Sequence, residues 1–218
     1  MLFKLLSFNK IKKKIKGTGN QVTISNKHCC GKIKIVGNRN KIEISETTHC
    51  HDLNITIYGN DNHIFIKDYC KLYSICLNIG IKDTPTANAI IEIKQNVDVS
   101  GKTTLFCAED NSKIIINENC LLSSGIDIWC TDTHSICDND GNTLNIGKEV
   151  IIGKHVWIGK DVKIGKNTKI ADNCVVGWGS IVTSSVSGKH KPNSVLAGNP
   201  AKVVKENVIW SKERPNIK

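Results

Sequence analysis

IGKEVI-IGKHVW-IGKDVK-IGKNTK-IADNCV-VGWGSI-VTSSV, residues 146–186, repeats every six residues. Each unit opens with an aliphatic residue (Ile146, Ile152, Ile158, Ile164, Ile170, Val176, Val182) and carries a small or branched one four places later (Val150, Val156, Val162, Thr168, Cys174, Ser180, Val186). Neither a helical period nor simple strand alternation gives this spacing. A fixed short repeat means a solenoid, whose units bury their apolar residues only by stacking on one another. Hexads do so as a parallel β-helix, in which three short strands and three corners make one triangular coil of about eighteen residues. The expected class is therefore all-β.

A looser form of the repeat extends upstream. GTGNQVTI from Gly17, GNRNKIEI from Gly37 and GNDNHIFI from Gly59 are three copies of Gly-x-x-Asn-x-aliphatic-x-aliphatic, with steps of 20 and 22 residues. Gly and Asn both tolerate positive φ at a corner, and the alternating apolar residues then point one face inward. Further rungs read NVDVS from Asn96, NSKIII from Asn111 and NCLLSS from Asn119. A step near 20 also suits a right-handed coil, so the upstream half alone leaves the hand open.

The 218 residues contain no Pro/Gly/Ser linker, and one elongated domain is expected. Its parts read as a basic, apolar cap over 1–16, irregular coils over 17–120, an excursion over 121–145, regular coils over 146–200 and a tail over 201–218 that ends in a short helix. Aromatic residues are only 5%, as a narrow core of Ile and Val requires. The ten cysteines do not read as a disulfide framework. Cys50, Cys70, Cys120 and Cys174 fall in the small inward slot that Val156 and Val162 fill elsewhere, and free thiols in that number point to a reducing cytoplasm. There is no CxxC pair and no zinc-type spacing, so no metal is expected.

The first sixteen residues, MLFKLLSFNKIKKKIK, carry six lysines. They lack the long apolar core and cleavage site of a signal peptide. Leu2, Phe3, Leu5, Leu6 and Phe8 either cap the open end of the solenoid or rest on an anionic membrane surface, which would put the protein at the inner face of the membrane. The net charge of +10 raises nucleic acid as a partner. The lysines, however, are spread over corners such as Lys148, Lys154, Lys160 and Lys166 without interleaved aromatics, so no nucleic-acid contact is expected. Positive potential would serve an anionic glycan or a phosphate-bearing cosubstrate instead.

The hexads, together with SSGIDIWCTDTHSI from Ser123, VIIGKHVWIG from Val150 and SVLAGNPAKVVKENVIW from Ser194, resemble the hexapeptide-repeat acyltransferase family, in particular the bacterial sugar and surface-polysaccharide O-acetyltransferases. The resemblance implies a left-handed parallel β-helix and a homotrimer with sites between neighbouring subunits. It also implies acetyl-CoA as cosubstrate and a glycan or sugar hydroxyl as acceptor, with His134 of TDTHSI as catalytic base. Imidazole has the basicity near neutral pH to take a proton from a hydroxyl attacking a thioester. Asp132, two residues earlier, would share a strand face with His134 and could orient its ring; Asp127 and Asp138 compete for that role. His28, His49, His51, His63, His155 and His190 read as corner, core-flanking or loop residues.

By the same resemblance Trp157, in an outward slot one coil plus the excursion beyond His134, stands beside the acetyl-CoA channel or acceptor pocket. Gly177, Gly179 and Ser180 match the small residues that line the pantetheine arm, with Trp178 where alanine is common. Ala197, Gly198 and Pro200 permit close approach of the cosubstrate. Lys202 and Lys205 are candidates for its phosphates. The chain departs from the family in TSSVSGKHKPNS, where Ser184 replaces a lysine and Lys189 or Lys191 would have to substitute. The expected activity is O-acetylation of a surface polysaccharide or its sugar precursor, with a sialic-acid polymer favoured by the basic balance. The alternatives are N-acetylation of an amino sugar nucleotide or a non-catalytic glycan-binding solenoid. A hexapeptide-fold carbonic anhydrase would need three converging histidines, and only His134 and His155 lie in plausible rungs.

Overall fold

A computed structural model describes residues 10–24 and 27–215. Within them the chain winds as a three-sided coil of parallel strands. On the first side lie Lys12–Lys16, the later parts of Cys29–Val36, His49–Asn60 and Lys71–Ile79, then Thr103–Cys107, Ile126–Trp129, Lys163–Ile164 and Ile181–Val182. The second side is a separate sheet of Gln21–Ile24, Lys41–Ile44, His63–Ile66, Ile90–Ile93, Lys113–Ile116, Glu149–Ile152 and Thr168–Ile170. The third holds the beginnings of the three long strands, then Asp98–Val99, Leu121–Leu122, Trp157–Ile158, Val175–Val176 and Val195–Gly198.

Register explains the period. Trp157 pairs with Val175 and Lys163 with Ile181, each 18 residues on. Because each coil has the same length, the same hexad position returns inward, and Ile152, Ile158, Ile164, Ile170, Val176 and Val182 are all buried in one continuous core. Ile146 is the exception. It is exposed, because the regular coil begins at Glu149–Ile152 rather than at residue 146. Upstream coils are longer: Gln21 pairs with Lys41 and Lys41 with His63.

The glycines of the upstream repeat do what the sequence suggests. Gly37 has φ 141°, and a Cβ there would lie 1.8 Å from the carbonyl oxygen of Gly59. The asparagines do something else. Asn20, Asn40 and Asn62 do not adopt positive φ; their amides stack inward as a ladder. Asn40 Nδ2 donates to Asn20 Oδ1 at 3.0 Å and to Gly59 O at 2.8 Å, and Asn62 Nδ2 donates to Asn40 Oδ1 at 3.0 Å and to Thr86 O at 2.7 Å. Asn40 and Asn62 are fully buried with these bonds made, which removes the cost of enclosing an amide. At other corners asparagine does take positive φ, as at Asn96, Asn119, Asn167 and Asn173.

The small inward slot takes thiols as expected: Cys50, Cys70, Cys120 and Cys174 are buried and free. Burial pushes the Cys120 thiol up to about 12. Lys12–Lys16 is the first strand of the coil and not part of a cap, while residues 1–9, with the apolar side chains considered for capping or membrane contact, lie outside the described residues. The expected C-terminal helix is absent from the described tail. Ala201–Lys205 instead turns back as a strand antiparallel to Val195–Gly198, since β-branched Val203 and Val204 suit a hairpin beyond the Gly198–Pro200 turn. Residues 206–215 then run back along the third side, where Trp210 is buried, stacks on His155 at 4.2 Å and donates Nε1–H to its carbonyl at 2.9 Å.

Replacing Asn40 with Ala removes the side-chain donor to the Gly59 carbonyl and the acceptor for the Asn62 backbone N–H and one hydrogen of its Nδ2 inside the coil. The expected loss is about 2–3 kcal/mol in denaturant unfolding; an unchanged midpoint would show that the ladder contributes nothing.

Candidate functional site

The coil interior is filled, so chemistry can reside only on its edges and outer faces. Two excursions leave the same edge, between the first and second sides. One follows Lys71–Ile79 and spans 80–89; the other follows Ile126–Trp129 and spans 130–148. The second exactly doubles its coil in length, since Leu121 pairs with Trp157, 36 residues on. Strands Leu121–Leu122 and Ile126–Trp129 remain part of the coil, so the protruding segment starts later than residue 121.

The longer excursion is a small hairpin. Asp138 Oδ1 accepts from the backbone N–H of Asp140 at 3.0 Å and of Asn142 at 2.8 Å, closing the NDGN turn, while Leu144 N donates to Ile136 O at 2.8 Å. His134 lies at its foot, exposed, in a cleft of about 200 Å³ bounded by Ile81 and Thr84 of the shorter excursion, Glu109 of the intervening coil, and Thr143 and Asn145.

Asp132 does not orient the His134 ring. Thr133 takes φ 62°, which turns the chain between the two residues and breaks the alternation of an extended strand. The Asp132 carboxylate instead forms an ion pair with Lys166 and accepts from Asn145 Nδ2 at 2.8 Å. The Lys166 hydrogen bond holds its carboxyl below the usual range. Asp127 pairs with Lys163, and Asp138 serves the turn.

Asn145 and the Lys166–Asn167 corner organise the loop, and sequence reading missed both. The second hydrogen of Asn145 Nδ2 goes to the His134 carbonyl at 2.9 Å, and its Oδ1 accepts from Ile136 N at 2.7 Å. Asn167 Nδ2 donates to Ile146 O at 3.0 Å and its Oδ1 accepts from Lys148 N at 2.8 Å. One hexad corner thus holds both the entry and the exit of the excursion. The only sequence signal was that Asn145 directly precedes the hexads. Glu109 was likewise unremarked; it accepts from Thr131 Oγ1 at 2.8 Å beside the cleft.

The other expected site residues lie elsewhere on the protomer. Trp157 is on the third side, 6.0 Å from the Trp210 ring, and not stacked over His134: one coil plus the excursion moves the chain to a different face. Gly177, Gly179 and Ala197 gather at the edge between the third and first sides, where a Cβ on Gly177 would come to 3.1 Å from Ala197 Cβ and Gly179 faces open space. Exposed Trp178 lies against Gly159 there. Ser180 is not available to a ligand. It is fully buried, donating to Gly177 O at 2.7 Å and accepting from Gly198 N at 3.2 Å, and so locks the hairpin onto the coil. Pro200, Lys202 and Lys205 are exposed on that hairpin. The width of the first side, on the order of 15 Å for four to five extended residues, separates this edge from His134. His134 and His155 likewise occupy different sides and share no site.

A filled three-sided coil with a histidine-bearing hairpin on one edge and a small-residue edge beside its C-terminal end is the architecture of a hexapeptide solenoid. Residues 155–186 match the bacterial transferase hexapeptide (six repeats) family, and residues 15–69, the coils of the asparagine ladder, match a protein family of unknown function (DUF3060). The polysialic acid O-acetyltransferase of Neisseria meningitidis is 35% identical over 131 residues, 52% of this chain and 60% of that relative's length. Among solved structures, the polysialic acid O-acetyltransferase OatWY superposes with TM-score 0.68 at 29% identity over 94% of both chains. The polySia-specific acetyltransferase NeuO superposes with TM-score 0.80 at 23% identity, over 94% of this chain and 90% of that one. The coil shares its fold with these solved structures and is a left-handed parallel β-helix, with a hexapeptide match over residues 155–186.

The clasp on the hairpin has a pH consequence. Because the folded carboxyl of Asp132 titrates below its ordinary value of about 3.9, its contribution is fully present above that value and disappears as pH falls through the depressed one. The protection of the Ile136 amide, relative to its intrinsic exchange rate at each pH, should therefore fall below about pH 4, and Asn145→Ala should lower it about tenfold or more at pH 7, the factor that about 1.4 kcal/mol of lost hydrogen bonding gives. Equal protection in the variant would remove Asn145 from its organising role.

Proposed function

We propose that this protein is an acetyl-CoA-dependent O-acetyltransferase acting on a hydroxyl of a bacterial surface polysaccharide, with an acidic glycan of the polysialic type as acceptor. The carrying observation is His134. Its main chain is anchored through Asn145 while its ring projects into an open cleft, on an excursion built into a coil like those of polysialic acid O-acetyltransferases. A ring whose main chain is held and whose nitrogens have no hydrogen-bond partner among the described residues can meet a substrate hydroxyl.

His134 takes the proton from the acceptor hydroxyl as its oxygen attacks the thioester carbonyl. The tetrahedral oxyanion collapses, expelling the CoA sulfur, which receives the proton from the imidazolium. The Lys166 partner keeps Asp132 ionised, so that its carboxylate holds Asn145 and, through it, the main chain of His134. Trp157, Gly177, Gly179 and Ala197 belong to the acetyl-CoA site, with Lys202 and Lys205 for its phosphates. They lie across the protomer from His134, which supports a homotrimer in which one chain supplies the histidine and its neighbour the cosubstrate surface. Because acetyl-CoA is the cosubstrate, the reaction is assigned to the cytoplasm. Among the described residues no helix is long and apolar enough to cross a membrane.

His134→Ala should lower turnover by about 10²–10⁴-fold, the usual contribution of a general base, with acetyl-CoA affinity and oligomer size unchanged. Thiol release assayed against polysialic acid, neutral glycans and amino sugar nucleotides checks this; full activity in the variant, or acetylation of amino acceptors alone, would refute the reading.

A further inference from the structure

The outer surface of the first side is a continuous track. Strand pairing sets Lys14, Lys34, Thr56, Asn78, Phe106 and Trp129 in one column. Beside it Lys12, Lys32, Asn54, Cys76, Thr104 and Asp127 form a second. The columns are polarised. Their N-terminal end presents Lys12, Lys14, Lys16, Lys32 and Lys34 on two adjacent strands, and none of these five forms an ion pair among the described residues. Acids at the flanking corners are otherwise engaged: Asp61 binds Arg39, and Asp52 accepts from Ser74 and Asn54.

The middle of the track carries no charge and offers amide and hydroxyl groups. The far end is an aromatic platform, Phe106 edge-on to Trp129 at 5.0 Å. Trp129 and Asp132 share a shallow depression of about 400 Å³, and His134 lies two residues beyond Asp132. Five coil steps separate Lys14 from Trp129, roughly 24 Å at about 4.8 Å per strand.

We infer that this face binds the acceptor as an extended acidic polysaccharide, several sugars long. Its carboxylates meet the five lysines, its hydroxyls the Asn/Thr rungs, and its pyranose faces the Phe106–Trp129 platform, so that one residue reaches His134. The inference rests on the proposed transferase reading and adds to it where the polymer lies and why length matters. Lysines without acid partners form a patch of positive potential that attracts a polyanion and weakens with salt. The neutral rungs beyond them suit a saccharide better than a lipid headgroup layer, which would engage only the basic end.

Fluorescently end-labelled polysialic acid of long and dimeric length, neutral dextran, and phosphatidylserine vesicles are titrated against the full chain and against a variant carrying Lys12→Gln, Lys14→Gln, Lys16→Gln, Lys32→Gln and Lys34→Gln. The long polymer should bind the variant at least tenfold more weakly and with a shallower salt dependence, while the dimer is acetylated at the wild-type rate and a five-arginine counterpart restores binding. A second variant, Thr56→Glu with Asn78→Glu, leaves the lysines in place and should weaken polymer binding as well. Unchanged polymer affinity in both variants, or tighter wild-type binding to the vesicles than to the polymer, would overturn the inference. Failure of the transferase reading alone would appear differently, as polymer binding that responds to the lysines with no thiol release from any acceptor.

Discussion

Every part of this molecule depends on each coil returning its side chains to the same inward positions as the coil before. With 18 residues per turn, Ile158 stacks on Val176 and Ile164 on Val182, and the core is a set of in-register apolar columns. Parallel strands satisfy their backbone groups only through neighbouring coils, so no coil is stable by itself. Extra residues can enter only at corners, where they leave the columns undisturbed. The 130–148 hairpin and the 80–89 loop obey that rule, and because both leave the same edge they make a cleft that neither makes alone.

Filling the interior with Ile, Val and Cys also forces polar groups into specific solutions. The Asn20–Asn40–Asn62 ladder places buried amides in a column in which each is answered by the next coil. Ser180 uses both its donor and its acceptor to fasten the terminal hairpin. At the surface the constraint relaxes, and the Lys166–Asn167 corner holds the ends of the hairpin through an ion pair and side-chain amide bonds. The same scaffold is thus rigid where the columns run and adjustable where the histidine is presented.

The solenoid was legible because each inward slot repeats its residue type, and the cysteines fell in place with the valines. What failed were inferences that required knowing a local turn or a face. Asp132 and His134 are spaced as on a strand, yet positive φ at Thr133 separates them. Asn40 looks like any corner asparagine until the neighbouring coil supplies Asn20 and Asn62 to bond. Ser180 looks like a small lining residue until its two partners are seen. Trp157 could be counted relative to His134 along the chain, but a count does not say which side of a triangle a residue reaches. Asn145 is one asparagine in a segment with several, and only the fold reveals that it holds both Asp132 and the His134 carbonyl.

On the proposed reading, with His134 as base and acetyl-CoA at the Gly177–Ala197 edge, a whole side of the coil separates the two, and one active site takes groups from two chains. Complementation tests this directly: chains carrying His134→Ala and chains carrying Ala197→Trp are each purified, then co-refolded into mixed oligomers and assayed for acetyl transfer. The account requires two inactive parents to yield an active mixture, because some interfaces then pair an intact histidine with an intact cosubstrate edge. A mixture as inactive as its parents, from oligomers shown to contain both chains, would contradict it.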